Sequence, residues 1–400
     1  MTNHHIGFVC LECGAEHPPG YDDYLCEKCS GNLDAVYDYS AIKSELNVEK
    51  LRNDDRRDVW RYAPLYPIES LDKIPPLDMG LTPLYSNEPI GNEVGGEVYL
   101  KDDTRLPSAS FKDRASSVVM TVAREKGIEK VACASTGNAG CSWACMGASC
   151  GMPVIIFVPA SAPQAKIAQL EVYGADVRQV DGTYDEAFQL CVDVCEEEGY
   201  FNRNTGFNPF TREGKKSVSF EIWEQFDYSA PGSVFVPVGD GNIISGVWKG
   251  FWDLEELGLI EEMPQIISVQ SSQSSAVNRT IEKIQSSGIQ PDPGDIEMET
   301  VSANTRADSI AVDAPSDGIA AVRAVLETDG EAVTVDDEII LDNIAALAST
   351  SGIFAEPAGV TSVAGLRSLA GSAKLDNIEF PAVCLLTGNG LKDVEAVLER

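Results

Sequence analysis

The 400-residue sequence predicts an α/β protein with two open parallel sheets and a small four-cysteine module in front of them. Short apolar runs alternate with helical patterns from about residue 97 onward, which is typical of strands and helices wound into parallel sheets. The runs are apolar at successive positions, as expected for strands that are covered on both faces. Two Cys-x-x-Cys pairs near the start predict the separate module.

The module lies within residues 8–39. Twelve residues separate Cys10-x-x-Cys13 from Cys26-x-x-Cys29, which is the two-knuckle spacing of a zinc ribbon. Four thiolates at this spacing can reach one Zn²⁺ and leave no open coordination position. We therefore predict a structural Zn²⁺, with a redox Cys-x-x-Cys pair as the alternative.

The later elements follow in order after a helix and an aromatic arm predicted over residues 40–80. Strands are predicted at 97–103, 130–135, 153–160 and 175–181, and helices at 112–125, 139–150, 163–174 and 183–199. Further apolar runs at 232–242, 264–270 and 381–390 predict a second, larger sheet. The uncharged stretch 131–165 contains glycines and polar residues, so we interpret it as a buried strand, helix and strand and not as a membrane span.

The charge of the chain excludes several partners. A formal net charge of -33 argues against nucleic acid, which needs a basic face, and against anionic membranes. No basic-then-apolar segment opens the sequence, and the cysteine count of 11 is odd, so we expect a cytoplasmic protein with reduced thiols. The substrate is expected to be a small molecule. The sequence leaves the oligomeric state open, a homodimer included.

The histidines restrict the chemistry. All three lie within the first 17 residues, so a Ser-His-Asp system or a His-rich catalytic metal site is not expected in the main body. Acid–base work there must fall to Lys, Asp, Glu, Tyr or a cofactor.

Three predicted strands end in polar, glycine-containing loops, and each loop is predicted to enter a helix. The loops are Ala134–Gly140, Pro237–Gly246 and Leu386–Asp393. Ligands of open α/β sheets bind beyond the carboxyl ends of the strands, and a helix N-terminus offers free N–H groups to an anion. One such loop alone is usually a tight turn, but three of them together with Lys112 indicate a ligand site.

Lys112 lies in "LPSASFKDRASS", at a predicted junction between a loop and a helix. Most lysines are simply surface residues. The lack of histidine favours a lysine that bonds covalently to a carbonyl cofactor such as pyridoxal 5'-phosphate (PLP), which acts as an electron sink.

Several motifs carry a family resemblance. "VYLKDDTRLPSASFKDRAS" resembles the lysine segment of fold-type II PLP enzymes, and it comes with "ASTGNAG", the glycine-rich loop, "GIFAEPAG" and "LTGNGLKD". The segments "VWRYAPLYPI", "GLTPLY" and "ADSIAV", with the ribbon, make nearly the whole chain similar to the threonine synthases. The implied fold is tryptophan-synthase-beta-like. The implied units are the ribbon at 1–45, a large cofactor-binding α/β domain at 46–110 and 226–400, and a smaller α/β domain at 111–225 with the "STGN" loop.

The resemblance also implies a role for each matching residue. Lys112 would bond to the cofactor and move the substrate's Cα and Cβ protons. The other implied cofactor contacts are Asn138 to the 3-hydroxyl, Gly239, Asp240, Gly241 and Asn242 to the phosphate, and Thr387 to the pyridine nitrogen. Ser135 and Thr136 would hold the substrate's carboxylate or phosphate.

The sequence departs from the family around the substrate phosphate. Ala139 replaces a hydroxyl residue, Thr211 stands where an Arg is usual, and Thr205-Gly206 replaces an Asn-Ser pair. The phosphate loop is also one residue shorter. Arg212, with Lys215 and Lys216 nearby, is expected to supply the missing cation.

Two activities follow as expectations. The first is threonine synthase, which converts O-phospho-L-homoserine and water to L-threonine and phosphate. The alternative is PLP-dependent β-replacement or elimination on O-phosphoserine, serine or threonine. The retained Lys112, Asn138 and Thr387 argue against a cofactor-free zinc-ribbon module. A dinucleotide-binding dehydrogenase is not expected either, because no G-x-G-x-x-G loop is followed by an acidic residue at the required spacing.

Overall fold

A computed structural model describes residues 3–289 and 291–398, so residues 1, 2, 290, 399 and 400 of the predicted domain ranges lie outside the described residues. The strands are β1 His5–Cys10, β2 Glu16–His17, β3 Leu33–Tyr37, β4 Leu84–Ser86, β5 Val98–Asp102, β6 Val131–Ala134, β7 Val154–Pro159, β8 Asp176–Val180, β9 Phe201–Asn202, β10 Ser233–Pro237, β11 Gln265–Ser271, β12 Ala332–Val335 and β13 Ala382–Leu386. The α-helices are α1 Tyr39–Glu45, α2 Val48–Arg52, α3 Glu88–Val94, α4 Lys112–Glu125, α5 Asn138–Cys150, α6 Gln164–Val172, α7 Tyr184–Glu198, α8 Phe210–Lys215, α9 Ser217–Gln225, α10 Asn242–Glu256, α11 Ala276–Ser287, α12 Gly318–Leu326, α13 Asp337–Ser351, α14 Pro357–Ser368 and α15 Glu395–Leu398.

The larger sheet has six strands in the order β12-β11-β10-β13-β5-β4. All neighbours are parallel except β4, which pairs antiparallel with β5 at the edge. Its central strand β10 is buried on both faces: Val234 and Val236 pack with α10 and α12, whereas Phe235 packs with α13 and α14 on the other side. This double burial explains the continuously apolar run in the sequence.

The smaller sheet has four parallel strands in the order β8-β7-β6-β9. Ala132 and Ile155 on neighbouring strands face α7, where they contact Cys191. The predicted α/β class with two parallel sheets is thus confirmed, and α4 has the bounds that the sequence predicts.

One predicted helix is wrong. The loop after β13 enters only a single 3-10 turn, Gly390–Lys392, and not an α-helix. The Asn389 side chain accepts from the Leu391 N–H and closes this turn, and Asp393 then leaves helical geometry with φ -144°.

The N-terminal unit is a three-stranded antiparallel sheet with the order β2-β1-β3. Strand β3 carries Asp34 and Tyr37 against α8 and α10, so this unit lies against the helices that precede and follow β10. No helix in residues 3–289 and 291–398 is long and apolar enough to cross a membrane.

Candidate active site

The turn before α4 fixes Lys112 against the end of the larger sheet. Ala109 has a left-handed backbone with φ 64°, which is uncommon for a residue with a side chain and is found more often at functional sites. The Phe111 N–H then donates to the Thr387 carbonyl (2.9 Å), and the Asn389 N–H donates to the Ala109 carbonyl (3.0 Å). Lys112 therefore begins α4 directly after a turn whose backbone is bonded to the loop after β13.

Lys112 lines a cavity at the carboxyl end of the larger sheet. The predicted cofactor residues that share its wall are Asn138, Gly239, Asp240, Gly241, Asn242 and Thr387. These residues come from the ends of three strands, β6, β10 and β13, because the carboxyl ends of parallel strands lie at one edge of a sheet. Ser135 and Thr136 are half-buried in the turn between β6 and α5, next to this wall but outside the lining.

The environment of Lys112 favours a reactive amine. Burial and, to a smaller extent, the charge of Arg203 lower its pKa to about 8, although Asp240 and Glu356 act in the opposite direction. A lysine with a pKa near 8 has a substantial neutral fraction at physiological pH, which is the nucleophilic form.

The phosphate loop has the geometry of an anion site. Helix α10 begins at Asn242 without a side-chain cap, so the first N–H groups of the helix are free for a ligand. Gly241 has φ +93°, and a Cβ there would lie 2.6 Å from the Asp317 carbonyl oxygen. A Cβ on Gly239 would lie 2.8 Å from Ile310 Cα. Both glycines are thus required by close packing.

Asp240 lies in the same loop but turns its carboxylate to one side. Its Oδ1 accepts from the Ser316 N–H (2.9 Å) and hydroxyl (2.5 Å). Burial raises its pKa to about 6, while the two bonds to Ser316 oppose the shift. Its Oδ2 is buried and has no hydrogen-bond partner in the described part of the chain.

Glu356 belongs to this site, although it was not among the predicted site residues. Its Oε1 accepts from Asn138 Nδ2 (2.7 Å), and burial raises its pKa to about 7. An amide NH₂ has two donors, so Asn138 keeps one N–H for a ligand. The sequence did contain a signal for this residue, because Glu356 lies within the family motif "GIFAEPAG". The motif alone did not indicate a role for its carboxylate.

Arg212 does not line the cavity, and the substrate contact expected of it stays a prediction. Its guanidinium binds Asp34 (2.9 Å) and Asp317 (2.5 Å) and donates to Ser245 (3.2 Å). Two carboxylates already neutralise it. Lys216 is similarly held, by Glu213 (2.5 Å) and Asp253 (2.7 Å).

The side chain of Asn242 is also bound inside the protein. Its Nδ2 donates to Asp317 (2.6 Å), and its Oδ1 accepts from Thr211 (3.1 Å) and from the Lys215 ammonium. Only its backbone N–H is therefore left for a ligand. The Lys112 amine, part of which is neutral at physiological pH, can react with an aldehyde, and the free helix N-terminus can bind a phosphate. These residues therefore fit PLP.

The four cysteines of the N-terminal unit converge. Their sulfurs all lie within 4.8 Å of one another, with Cys10 and Cys29 at 3.4 Å and Cys13 and Cys26 at 3.7 Å. Tetrahedral Zn–S bonds of ~2.3 Å place ligand sulfurs roughly 3.8 Å apart, so the donor set fits Zn²⁺.

Comparisons with known proteins agree with a cavity that fits PLP. The family model described as "Pyridoxal-phosphate dependent enzyme" matches residues 76–388. The threonine synthase of Methanosarcina acetivorans is 36% identical over 392 residues, which cover 98% of this chain and 93% of that protein. The threonine synthase of Methanocaldococcus jannaschii is 36% identical over 391 residues, with 97% and 93% covered.

Solved structures share the fold. Maize serine racemase has a TM-score of 0.66 at 21% identity and covers 80% of this chain and 90% of its own. The processed form of threonine deaminase isoform 2 from Solanum lycopersicum has a TM-score of 0.66 at 23% identity, with 80% and 86% covered. At this level of identity the likeness concerns the fold alone.

Proposed function

This chain belongs to the pyridoxal-phosphate-dependent enzymes and, within them, to the threonine synthase family, and we propose that it converts O-phospho-L-homoserine and water to L-threonine and phosphate. The family that the motifs indicated is thereby confirmed. The observation that carries the proposal is the half-buried Lys112 in a cavity bounded by a free helix N-terminus, in a chain that matches threonine synthases over nearly its full length.

Lys112 is proposed as the residue that bonds to PLP and then carries protons. When bound, PLP supplies the electron sink that makes the substrate's Cα–H and Cβ–H bonds acidic. Because burial and Arg203 hold the pKa of Lys112 to about 8, its amine can accept a proton and return it at a pH near neutrality.

The remaining residues bind and orient. Asn138 is fixed by Glu356 and would offer its second N–H to the cofactor's 3-hydroxyl. Gly239, Gly241 and the first N–H groups of α10 would hold the cofactor's phosphate. Thr387 would offer a hydroxyl to the pyridine nitrogen, which leaves that nitrogen largely neutral where a carboxylate would protonate it.

The substrate's carboxylate is assigned to the start of α5. This helix begins at Asn138 without a side-chain cap, so its first N–H groups are free to bind an anion. Ser135 and Thr136 would add hydroxyl donors from the preceding turn. An anion held here lies beside the cavity of Lys112.

The N-terminal unit is proposed to hold one structural Zn²⁺ through Cys10, Cys13, Cys26 and Cys29, since four thiolates leave no position for a substrate. We also propose the domain division at 46–110 with 226–400 and at 111–225. The distribution of strands supports it, because β6 to β9 form one sheet and β4, β5 and β10 to β13 form the other.

The test is product analysis with PLP-loaded enzyme. O-phospho-L-homoserine should give L-threonine and phosphate in equal amounts, and O-phospho-L-serine should react far more slowly. Lys112→Ala should abolish turnover with an unchanged circular dichroism spectrum. Lys126→Ala, just past the other end of α4, removes an exposed lysine that binds the exposed Asp22 (3.0 Å), and it should leave turnover unchanged. Turnover of phosphoserine alone, or by Lys112→Ala, would contradict the proposal.

A further inference from the structure

Arg203 is a buried cation at the carboxyl end of the smaller sheet. It follows β9 directly, and its N–H donates to the Ala132 carbonyl of the neighbouring strand (2.9 Å). Its side chain is fully buried, with 0% of its surface exposed. Burying a guanidinium in this way is unfavourable unless an anion compensates its charge.

The other buried arginines of the described chain have such anions. They are Arg61, Arg114 and Arg212, and each forms an ion pair with a carboxylate. Arg203 forms none within residues 3–289 and 291–398. Burial lowers the pKa of Arg203, and Cys133, Tyr184 and Asp113 oppose this shift through space alone. The Asp113 carboxylate is itself bonded to the Ser108 N–H (2.6 Å) and hydroxyl (2.5 Å).

The hydrogen bonds of Arg203 leave one of its donor groups without a partner. Its Nε donates to the Ser116 hydroxyl (3.3 Å), and its Nη1 donates to the Thr205 hydroxyl (2.6 Å). Its Nη2 is buried without a partner in the described residues. Thr205 itself lines the Lys112 cavity, so the guanidinium lies within hydrogen-bond distance of a residue of the cavity wall.

A second basic side chain, that of Lys215, lies near the same cavity wall. Lys215 is fully buried, and its ammonium donates to Asn242. Burial lowers its pKa well below the ordinary value, and the charges of Lys112 and Arg203 lower it further. The charges of Lys112, Arg203 and Lys215 therefore oppose one another, and a dianion bound among these groups would favour the charged form of Lys215.

We propose that Arg203, with Lys215 beside it, binds the phosphate group of the substrate and of the leaving phosphate, in the role that the sequence assigned to Arg212. A phosphate ester carries close to two negative charges and three acceptor oxygens, which match two cations and a hydroxyl. A carboxylate carries one charge and is already served by the start of α5. The identity of the ester rests on the proposed function, whereas the site for a phosphate group does not.

The test compares a phosphate ligand with one that lacks phosphate. Inorganic phosphate and L-threonine are titrated separately into PLP-loaded enzyme, and binding is measured by calorimetry and by the absorbance of the cofactor. In Arg203→Gln the affinity for phosphate should fall roughly 10- to 100-fold, as for the loss of a charged hydrogen bond, and the affinity for L-threonine should stay within about threefold. Arg178→Gln removes an exposed arginine from the same sheet and should change neither.

Two results would overturn the proposal. Unchanged phosphate affinity would show that Arg203 does not reach the ligand, and an equal loss for L-threonine would assign Arg203 to the carboxylate. If Arg203→Gln does not fold, Thr205→Val takes its place, because it removes the hydroxyl between Arg203 and the cavity while keeping the shape. That variant should weaken phosphate severalfold and L-threonine not at all, and an equal effect on both would again overturn the proposal. Failure of the wild-type enzyme to make threonine would reject the proposed function and leave the phosphate titration as a valid test.

Discussion

Asp317 offers the sharpest test of how the site is supported, because it joins three parts of the protein. Its Oδ1 accepts from Arg212 (2.5 Å) and from Asn32 (3.1 Å), and its Oδ2 accepts from Asn242 (2.6 Å) and Ser245 (2.5 Å). The carboxylate thereby connects the N-terminal unit, α8 and the first turn of α10, the helix proposed to bind the cofactor's phosphate. It is 1% exposed, so water cannot replace it.

We expect Asp317→Ala to destabilise the protein strongly. Removing one partner of a buried ion pair costs about 3–5 kcal/mol, and the lower figure applies because Arg212 keeps Asp34. Asp317→Asn retains the Oδ1 acceptor but places an NH₂ where two donors point, so it should cost about 1–2 kcal/mol. PLP should bind roughly tenfold more weakly to both variants, as for a loss of ~1.4 kcal/mol, because the Asn242 turn is no longer fixed.

The measurement is urea unfolding of the cofactor-free protein by circular dichroism, with PLP affinity from absorbance titration. Glu299→Ala is the control, since it removes a carboxylate from the exposed pair with Lys283 (2.7 Å), for which about 0–1 kcal/mol is expected. If Asp317→Ala loses no more stability than Glu299→Ala, the network does not support the site and the reasoning is refuted.

Two further predictions concern the cofactor amine and the cysteines. The rate at which cofactor-free protein takes up PLP should rise with pH through about 8, because only the neutral form of Lys112 reacts. Glu356→Gln should move the midpoint of this rise to lower pH, because it removes a negative charge that raises the pKa of Lys112. A rate that does not depend on pH between 6 and 9, or a shift to higher pH, would contradict this. Elemental analysis should find one Zn²⁺ per chain. Removal of this Zn²⁺ by a chelator, or by Cys13→Ser, should lower Tm by several degrees. It should also speed the loss of PLP, because Asn32 of the ribbon donates to the Ser316 carbonyl (2.7 Å). Zinc-free protein that retains its Tm and its cofactor would oppose this expectation.

The sequence by itself determined the features that are encoded locally. The parallel sheets were predictable because strands that are covered on both faces must be apolar at successive positions, as in β7 and β10. Lys112 could be singled out because it begins a helix after a loop of small residues and because the main body has no histidine. The cysteine spacing likewise fixes which four sulfurs can meet, and the structure places them together.

Only the tertiary structure decided how the buried charged groups are paired. Arg212 binds Asp34 and Asp317, which are 178 and 105 residues away in the sequence, and Glu356 binds Asn138 across 218 residues. Arg203, which no motif marked, is the buried arginine of the described chain that folding leaves without a carboxylate. The partner of a buried charge is set by the groups packed against it once distant segments meet, and spacing along the chain carries no record of that.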